Sequence, residues 1–346
     1  MKRMLMFLLV FMVAFTAAGC GGGGGGGSEP ASDDEDTAES VTFRYATQHP
    51  MDHPAQAAAE AIKAEIEEKT DGRILIEIYP SNILGDWTQI YDEVMMGTIE
   101  IAHISVPEKY DARTAAGFLP YLASDFDEFA KVIEPGAFLP TIMSEIQANV
   151  GIKFFGYFAE GFAGIGLVKP ATDPAVIGAE KGVLCRVPGI DAFKYPTEHL
   201  GYRTSTIPYA DVFAAIQTGV VDGWMGGPPI LNYMFFSDLI NYYYHYSIVH
   251  EATQLLMNLD TFNALSPADQ KIFEDAFLRQ SSGSVDVARD LDEYYMEKMR
   301  EEGIEVITFS KAELEGFARS VRENVWPRFA ESYTQEFLDD LVASLN

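Results

Sequence analysis

Between Val41 and Val106 two hydrophobic periods alternate, and that rhythm restricts the folds open to the chain. Val41–Thr47 alternates as a strand and ends in the loop Gln48-His49-Pro50-Met51-Asp52-His53-Pro54. Ala55–Lys69 carries Ala58, Ile62 and Ile66 on one face, the spacing of a helix, and Asp71-Gly72 stops it. Ile74, Ile76 and Ile78 mark a second strand closed by Pro80. Asp86 offers an N-cap to a second helix that Gly97 ends, and Ile99–Val106 is the next strand. A β-α-β-α-β order of this kind predicts an α/β fold with a mostly parallel sheet covered on both faces. Ligands of such sheets sit at the carboxyl ends of the strands, here Gln48–His53 and Ser105-Val106.

A second informative stretch is Pro208–Gly227, PYADVFAAIQTGVVDGWMGG. Val212, Ala215, Ile216 and Gly219 predict a short helix over Asp211–Thr218, and Val220-Val221 begins a β-like run that breaks at Asp222-Gly223. This segment resembles the second-domain segment of TRAP-transporter solute-binding proteins, the DctP-like family. The resemblance extends to EEKTDGRILIEIYPSNILGDWTQIYDEVMMGTIEIA and to LLMNLDTFNALSPADQKIFEDA, so it runs from about Thr42 to Ala276. It implies a two-lobed periplasmic-binding-protein fold with a cleft between two α/β domains. Lobe I is expected over 41–162 with 252–290, and lobe II over 163–251 with 291–346. The helical stretch Val285–Arg300 is expected to span both.

The resemblance also implies a role, the capture of an organic anion for TRAP membrane carrier subunits, without catalysis and without a cofactor. A periplasmic hydrolase or isomerase is the competing class, but the chain has no G-x-S-x-G elbow and no H-E-x-x-H. A ligand sensor of the same fold shares every feature quoted so far. Arg186, in Gly182–Gly189, matches the family strand whose arginine clamps a carboxylate, a pairing that the planar guanidinium suits. A structural ion pair is the alternative role for it. Tyr209 matches an aromatic wall or is a core ring, and Gln48 matches a polar contact after the first strand. Trp87 is a pocket wall or a helix anchor. Ser105 ends a strand on the binding side, His49 is a ligand-binding candidate in the loop after the first strand, and Phe162 flanks a hinge as a pocket wall or as core packing.

Two departures from the family pattern bear on the ligand. No arginine precedes Lys169 in the Ala163–Leu167 stretch, where a second one is common, and Gly164 and Gly166 stand there instead. After Asp222-Gly223 come Trp224, Met225, Gly226 and Gly227 rather than Gln-Glu-Asn. Taken as open space beside Trp224, these glycines favour a monocarboxylate with an apolar or aromatic tail. The alternative, dicarboxylate binding, requires Arg113, Lys169 or Arg203 to reach the site. His49 and His53 have a metal-like spacing, but Pro50 and Pro54 make their segment a loop, so no metal is expected.

The N-terminus carries Lys2-Arg3, an apolar run Met4–Phe15 and then Ala17-Ala18-Gly19-Cys20. The run is too short for a membrane span and fits a signal-peptide core closing on a lipobox, with Cys20 as the lipidated residue. Residues 21–40, seven glycines followed by SEPASDDEDTAES, read as a tether. These features predict a periplasmic or extracytoplasmic protein held to the membrane by lipid. Cys185 is then the single remaining cysteine, so no internal disulfide forms, and its apolar neighbours predict a buried inert thiol. The net charge of −28 excludes nucleic acid as a partner. It also disfavours long-range steering of an anion, so a local cation in a closed cleft must supply the attraction.

Overall fold

A computed structural model describes residues 40–345 of the chain. The Met4–Phe15 run, Cys20 and the tether up to residue 39 lie outside the described residues. Among those described, no helix is long and apolar enough to cross a membrane.

Among the described residues eleven strands form two sheets. The first joins β1 (Val41–Thr47), β2 (Ile74–Tyr79), β3 (Ile101–Ile104), β4 (Ile152–Phe162) and β10 (His250–Asn258) in the order β2-β1-β3-β10-β4. The second joins β5 (Ile165–Leu167), β6 (Leu184–Val187), β7 (Arg203–Thr206), β8 (Gly223–Met225), β9 (Tyr242–His245) and β11 (Glu305–Thr308) in the order β11-β9-β5-β8-β6-β7. The two-lobed α/β expectation holds, but the sheets are mixed rather than mostly parallel. β10 runs antiparallel to both β3 and β4, and β5 runs antiparallel to both β8 and β9.

Those two strands are the ones that follow a short passage from one sheet to the other; the third passage, to β11, runs through a long helix. β4 leaves the first sheet at Phe162 and β5 begins three residues later; β9 leaves the second at His245 and β10 begins at His250. A chain arriving at the carboxyl ends of parallel strands can only run back against them. The reversed strands therefore mark the edge where both sheets face the cleft.

Local signals behave as the sequence predicts. Asp86 caps the helix Trp87–Met96 in a capping box with Gln89, and Gly97 ends it at a φ of 75°. His53 caps the helix Pro54–Lys69, its Nδ1 accepting from the Ala55 N–H. The Asp211–Thr218 expectation resolves into a single 3-10 turn, Tyr209–Asp211, and a short helix, Val212–Gln217. The following strand starts at Gly223, not at Val220, because its pairing with β5 needs a residue without a side chain. A Cβ on Gly223 would strike the Leu167 Cα at 2.8 Å.

The long helix is larger than expected: Pro267–Glu301, 35 residues, or about 50 Å. It packs on β4 and on the helix Pro54–Lys69, and on the other side against the helix Pro229–Phe236 and β11. Ser281 Oγ donates to the Tyr157 carbonyl at 2.6 Å, Ser284 Oγ accepts from the Ala159 N–H at 2.8 Å, and Asp292 accepts from the Phe162 N–H. The C-terminal helices also touch both halves: Ser320 meets His199, while Arg322 and Trp326 donate to the Tyr121 and Pro120 carbonyls.

Close approach of helix and strand depends on glycine. At Gly161 the φ is +126°, and a Cβ would sit against Asp292 Oδ1 and 2.7 Å from Pro228 Cβ. Gly161→Ala should cost about 2–4 kcal/mol, combining backbone strain with overpacking. Urea denaturation of the variant tests this, and a midpoint equal to wild type would show that the helix can move aside.

Candidate ligand-binding site

Arg186 lies on β6 between β7 and β8 and is 2% exposed. Strand alternation sends its neighbour Cys185 into the apolar core, where burial pushes the thiol up and keeps it protonated. Arg186 points to the opposite face. Its Nε donates to the Ile207 carbonyl at 2.8 Å, and its Cζ stands 5.9 Å from the Tyr209 ring centroid. Burial lowers its pKa to about 10, so it stays cationic at neutral pH. Among the described residues the guanidinium makes no ion pair; Glu251 and Asp86 act on it only through space. A buried, charged, unpaired guanidinium is costly unless an anion joins it.

The space beside it is a small cavity of about 40 Å³. From the first lobe it is lined by Gln48, Trp87 and Ser105, and from the second by Arg186, Pro188, Ile190, Phe193, Tyr209, Trp224, Gly226, Gly227 and Leu231. Glu251, on the crossing strand, completes it. Gln48 and Ser105 follow adjacent parallel strands and are tied to each other: Ser105 N–H donates to Gln48 Oε1 at 2.9 Å, and Gln48 Nε2 donates to Ser105 Oγ at 3.2 Å. Trp224 is wedged against Phe236, with centroids 4.5 Å apart, and its Nε1 donates to Asn232 Oδ1 at 2.9 Å.

Several sequence expectations need correction. The glycines do not open space. A Cβ on Gly226 or Gly227 would meet the Trp224 ring at 2.9 and 2.7 Å, so they make room for the indole. Gly164 and Gly166 are likewise filled, by Tyr243 Oη at 2.5 Å and Asn232 Oδ1 at 2.6 Å. Phe162 is turned away from the cavity and packs edge-on to Phe126 and His250 at 4.9 and 4.8 Å. His49 is also elsewhere. Its Nε2 stands 2.7 Å from Glu160 Oε1 in a buried cluster, with His53 stacked on it at 4.6 Å.

His49, His53 and Glu160 have the composition of a metal site, with their ligand atoms within 4.8 Å of one another. Tautomer chemistry argues against that use. His53 Nδ1 accepts the Ala55 N–H, so the neutral ring carries its proton on Nε2 and has no lone pair to offer there. Glu160 instead collects donors: His49, and the Thr253 hydroxyl at 2.6 Å. Burial alone would push its carboxyl up, but the charge and hydrogen bond of His49, with His53 and His103, together outweigh this and hold it at about 2.

Sequence reasoning missed Glu251 altogether. Burial, reinforced by the charge of Glu160, pushes its carboxyl up to about 8; hydrogen bonds from the Gly227 N–H and the Ser105 hydroxyl, with Arg186, limit the rise. A signal was present. Glu251 and His250 are the only polar interruptions of Ile248-Val249-His250-Glu251-Ala252, an apolar run with no turn residue to excuse a charge.

Residues 45–332 match the family described as bacterial extracellular solute-binding protein, family 7. The chain belongs to this family. A solute-binding protein of Roseobacter denitrificans is 25% identical over 214 residues, 62% of this chain and 65% of the relative, so the match spans a little under two thirds of that protein. Two solved structures share the fold. A TRAP periplasmic solute binding protein from Polaromonas bound to D-erythronate superposes with a TM-score of 0.79 at 19% identity, covering 88% of this chain and 98% of that one. One from Haemophilus influenzae with bound L-gulonate gives 0.77 at 22%, covering 88% and 99%. The family is one of binding proteins, not enzymes.

For this solute-binding protein the buried glutamate has a measurable consequence without any ligand. The folded pKa of Glu251 lies above its unfolded value, so the folded state holds the extra proton and stability falls as pH rises from about 4.5 through 8. Glu251→Gln removes that dependence. The stability of E251Q relative to wild type should grow by up to about 1.4 kcal/mol per pH unit over this window and level off above it. Urea titrations at several pH values read the difference directly; a constant difference would mean that Glu251 is ionised throughout.

Proposed function

We propose that this chain is the extracytoplasmic binding subunit of a TRAP transporter, which captures a small organic acid by one carboxylate and delivers it to membrane carrier subunits. The observation that carries this reading is Arg186, cationic, 2% exposed and without an ion-pair partner among the described residues. A ligand carboxylate supplies the missing anion and pairs bidentately with the guanidinium. The organic acids bound in the neighbouring structures, D-erythronate and L-gulonate, support the ligand class.

A second carboxylate on the ligand finds no further cation among the described residues that line the cavity. Arg113 is paired with Asp111 and Lys169 with Asp222, while Arg203 lies on the edge strand β7 with its side chain exposed. The remaining walls, Trp87, Ile190, Phe193, Tyr209, Trp224 and Leu231, suit an apolar flank. Size limits that flank. A cavity of about 150 Å³ takes benzene, whereas this one is about 40 Å³, so a ring-bearing acid requires the lobes to part. We assign lobe I to 41–162 with 252–290 and lobe II to 163–251 with 291–346, the division following the two strand passages. The lipobox Ala17–Cys20 adds a lipid anchor, with residues 21–40 as its tether.

Arg186→Ala should weaken binding of a cognate acid at least ~100-fold, about 3 kcal/mol or more, because the carboxylate would be desolvated without a partner. The cognate acid is found by thermal shift against an organic-acid library, and calorimetry then compares wild type with the variant. Equal affinities would place the carboxylate contact elsewhere. Cys20→Ser should move the protein from the membrane to the soluble fraction, since stable residence needs the acyl chains. A wild-type protein already soluble after processing contradicts the anchor.

A further inference from the structure

We infer that the acid taken by this cleft is a zwitterion, carrying a cationic nitrogen that pairs with Glu251 while its carboxylate pairs with Arg186. The inference rests on the carboxylate reading of Arg186 and adds the other half of the ligand. Both side chains line the same cavity and both are at least nine-tenths buried, at 2% and 7% exposure. Neither has an ion pair among the described residues, and they do not close on each other; their interaction is through space only. A buried guanidinium and a buried carboxyl held apart across a small gap are complementary to a molecule that carries both signs. A cation beside Glu251 favours loss of its proton to water and pairs with the carboxylate left behind.

The setting of Glu251 favours a cation over a hydroxyl. Ser105 and the Gly227 N–H both donate to its carboxyl, an arrangement that positions an acceptor. The charge of Glu160 acts on Glu251 through space and adds to the negative potential at that end of the cavity, which favours a positive group there. Trp87, Tyr209 and Trp224 supply aromatic faces, which attract cations when water is excluded. The chain's net charge of −28 opposes approach of a net anion and is indifferent to a neutral zwitterion. A plain carboxylate, by contrast, satisfies Arg186 and leaves its own tail beside Glu251.

Matched acids test this on the full-length protein by calorimetry at pH 7.5. One set is L-alanine, L-lactate and propionate; the other is γ-aminobutyrate, 4-hydroxybutyrate and butyrate. Within a set only the ammonium, hydroxyl or hydrogen differs, and the two sets differ in the reach between the charges. The ammonium member of at least one set should bind about tenfold or more tighter than its partners, and Glu251→Gln should reduce that preference to roughly threefold or less. The glutamine keeps an acceptor for Ser105 and Gly227, so the fold is retained, which circular dichroism checks. Lactate, propionate or their four-carbon counterparts binding as tightly as the ammonium acids would overturn the zwitterion and leave the carboxylate reading standing. If no acid of either set binds, the zwitterion inference falls, while the carboxylate reading is decided separately by the organic-acid library and Arg186→Ala. A preference for ammonium acids that survives E251Q would also overturn the role given to Glu251.

Discussion

The chain passes between its two sheets at two places in strand form, and most of the architecture follows from that. A strand that arrives at the cleft edge must run against its parallel neighbours, so β5 and β10 are reversed and each sheet is mixed. The same passages bring the carboxyl ends of both sets of parallel strands to one gap. Gln48 and Ser105 come from one side, Arg186 from the other, and Glu251 from the passage itself. The long helix Pro267–Glu301 reinforces the arrangement by packing on elements of both sheets.

Electrostatics at the site works against the character of the whole molecule. The surface is strongly acidic, whereas the cavity holds one buried guanidinium that burial lowers only to about 10. At close range in a water-excluded gap that single charge outweighs a distant field, which water and salt screen. The cluster around Glu160 uses the opposite strategy. One oxygen of its carboxylate takes both the His49 and the Thr253 donors, which help hold it ionised without a ligand.

Periodic and punctuating residues made much of this legible before any coordinates. The strands at Val41 and Ile74, the capped helix between Asp86 and Gly97, and the α/β class follow from spacing and from cap chemistry. The convergence of Gln48, Trp87, Ser105, Arg186, Tyr209, Trp224 and Gly226 on one cavity follows from the strand-end rule together with the family likeness. What escaped depends on long-range packing. Whether a glycine leaves room or is filled by Trp224, Tyr243 or Asn232 is decided by residues far away in sequence. Phe162 and His49 sit at strand ends, as binding residues do, yet their side chains turn to Phe126, His250 and Glu160. Glu251 was overlooked because an isolated glutamate in a strand gives no periodic signal of its own.

The small size of the cavity has a kinetic consequence. With only about 40 Å³ of space, nothing larger than a few waters fits there while the walls keep their present spacing. Exchange must wait for the lobes to separate, a collective motion on the microsecond-to-millisecond scale. The residence time of a bound molecule is then governed by how often the gap opens as well as by the strength of its contacts. Substitutions along the helix seam at Gly156, Gly161 and Asp292 would therefore alter dissociation rates without touching a single atom of the site.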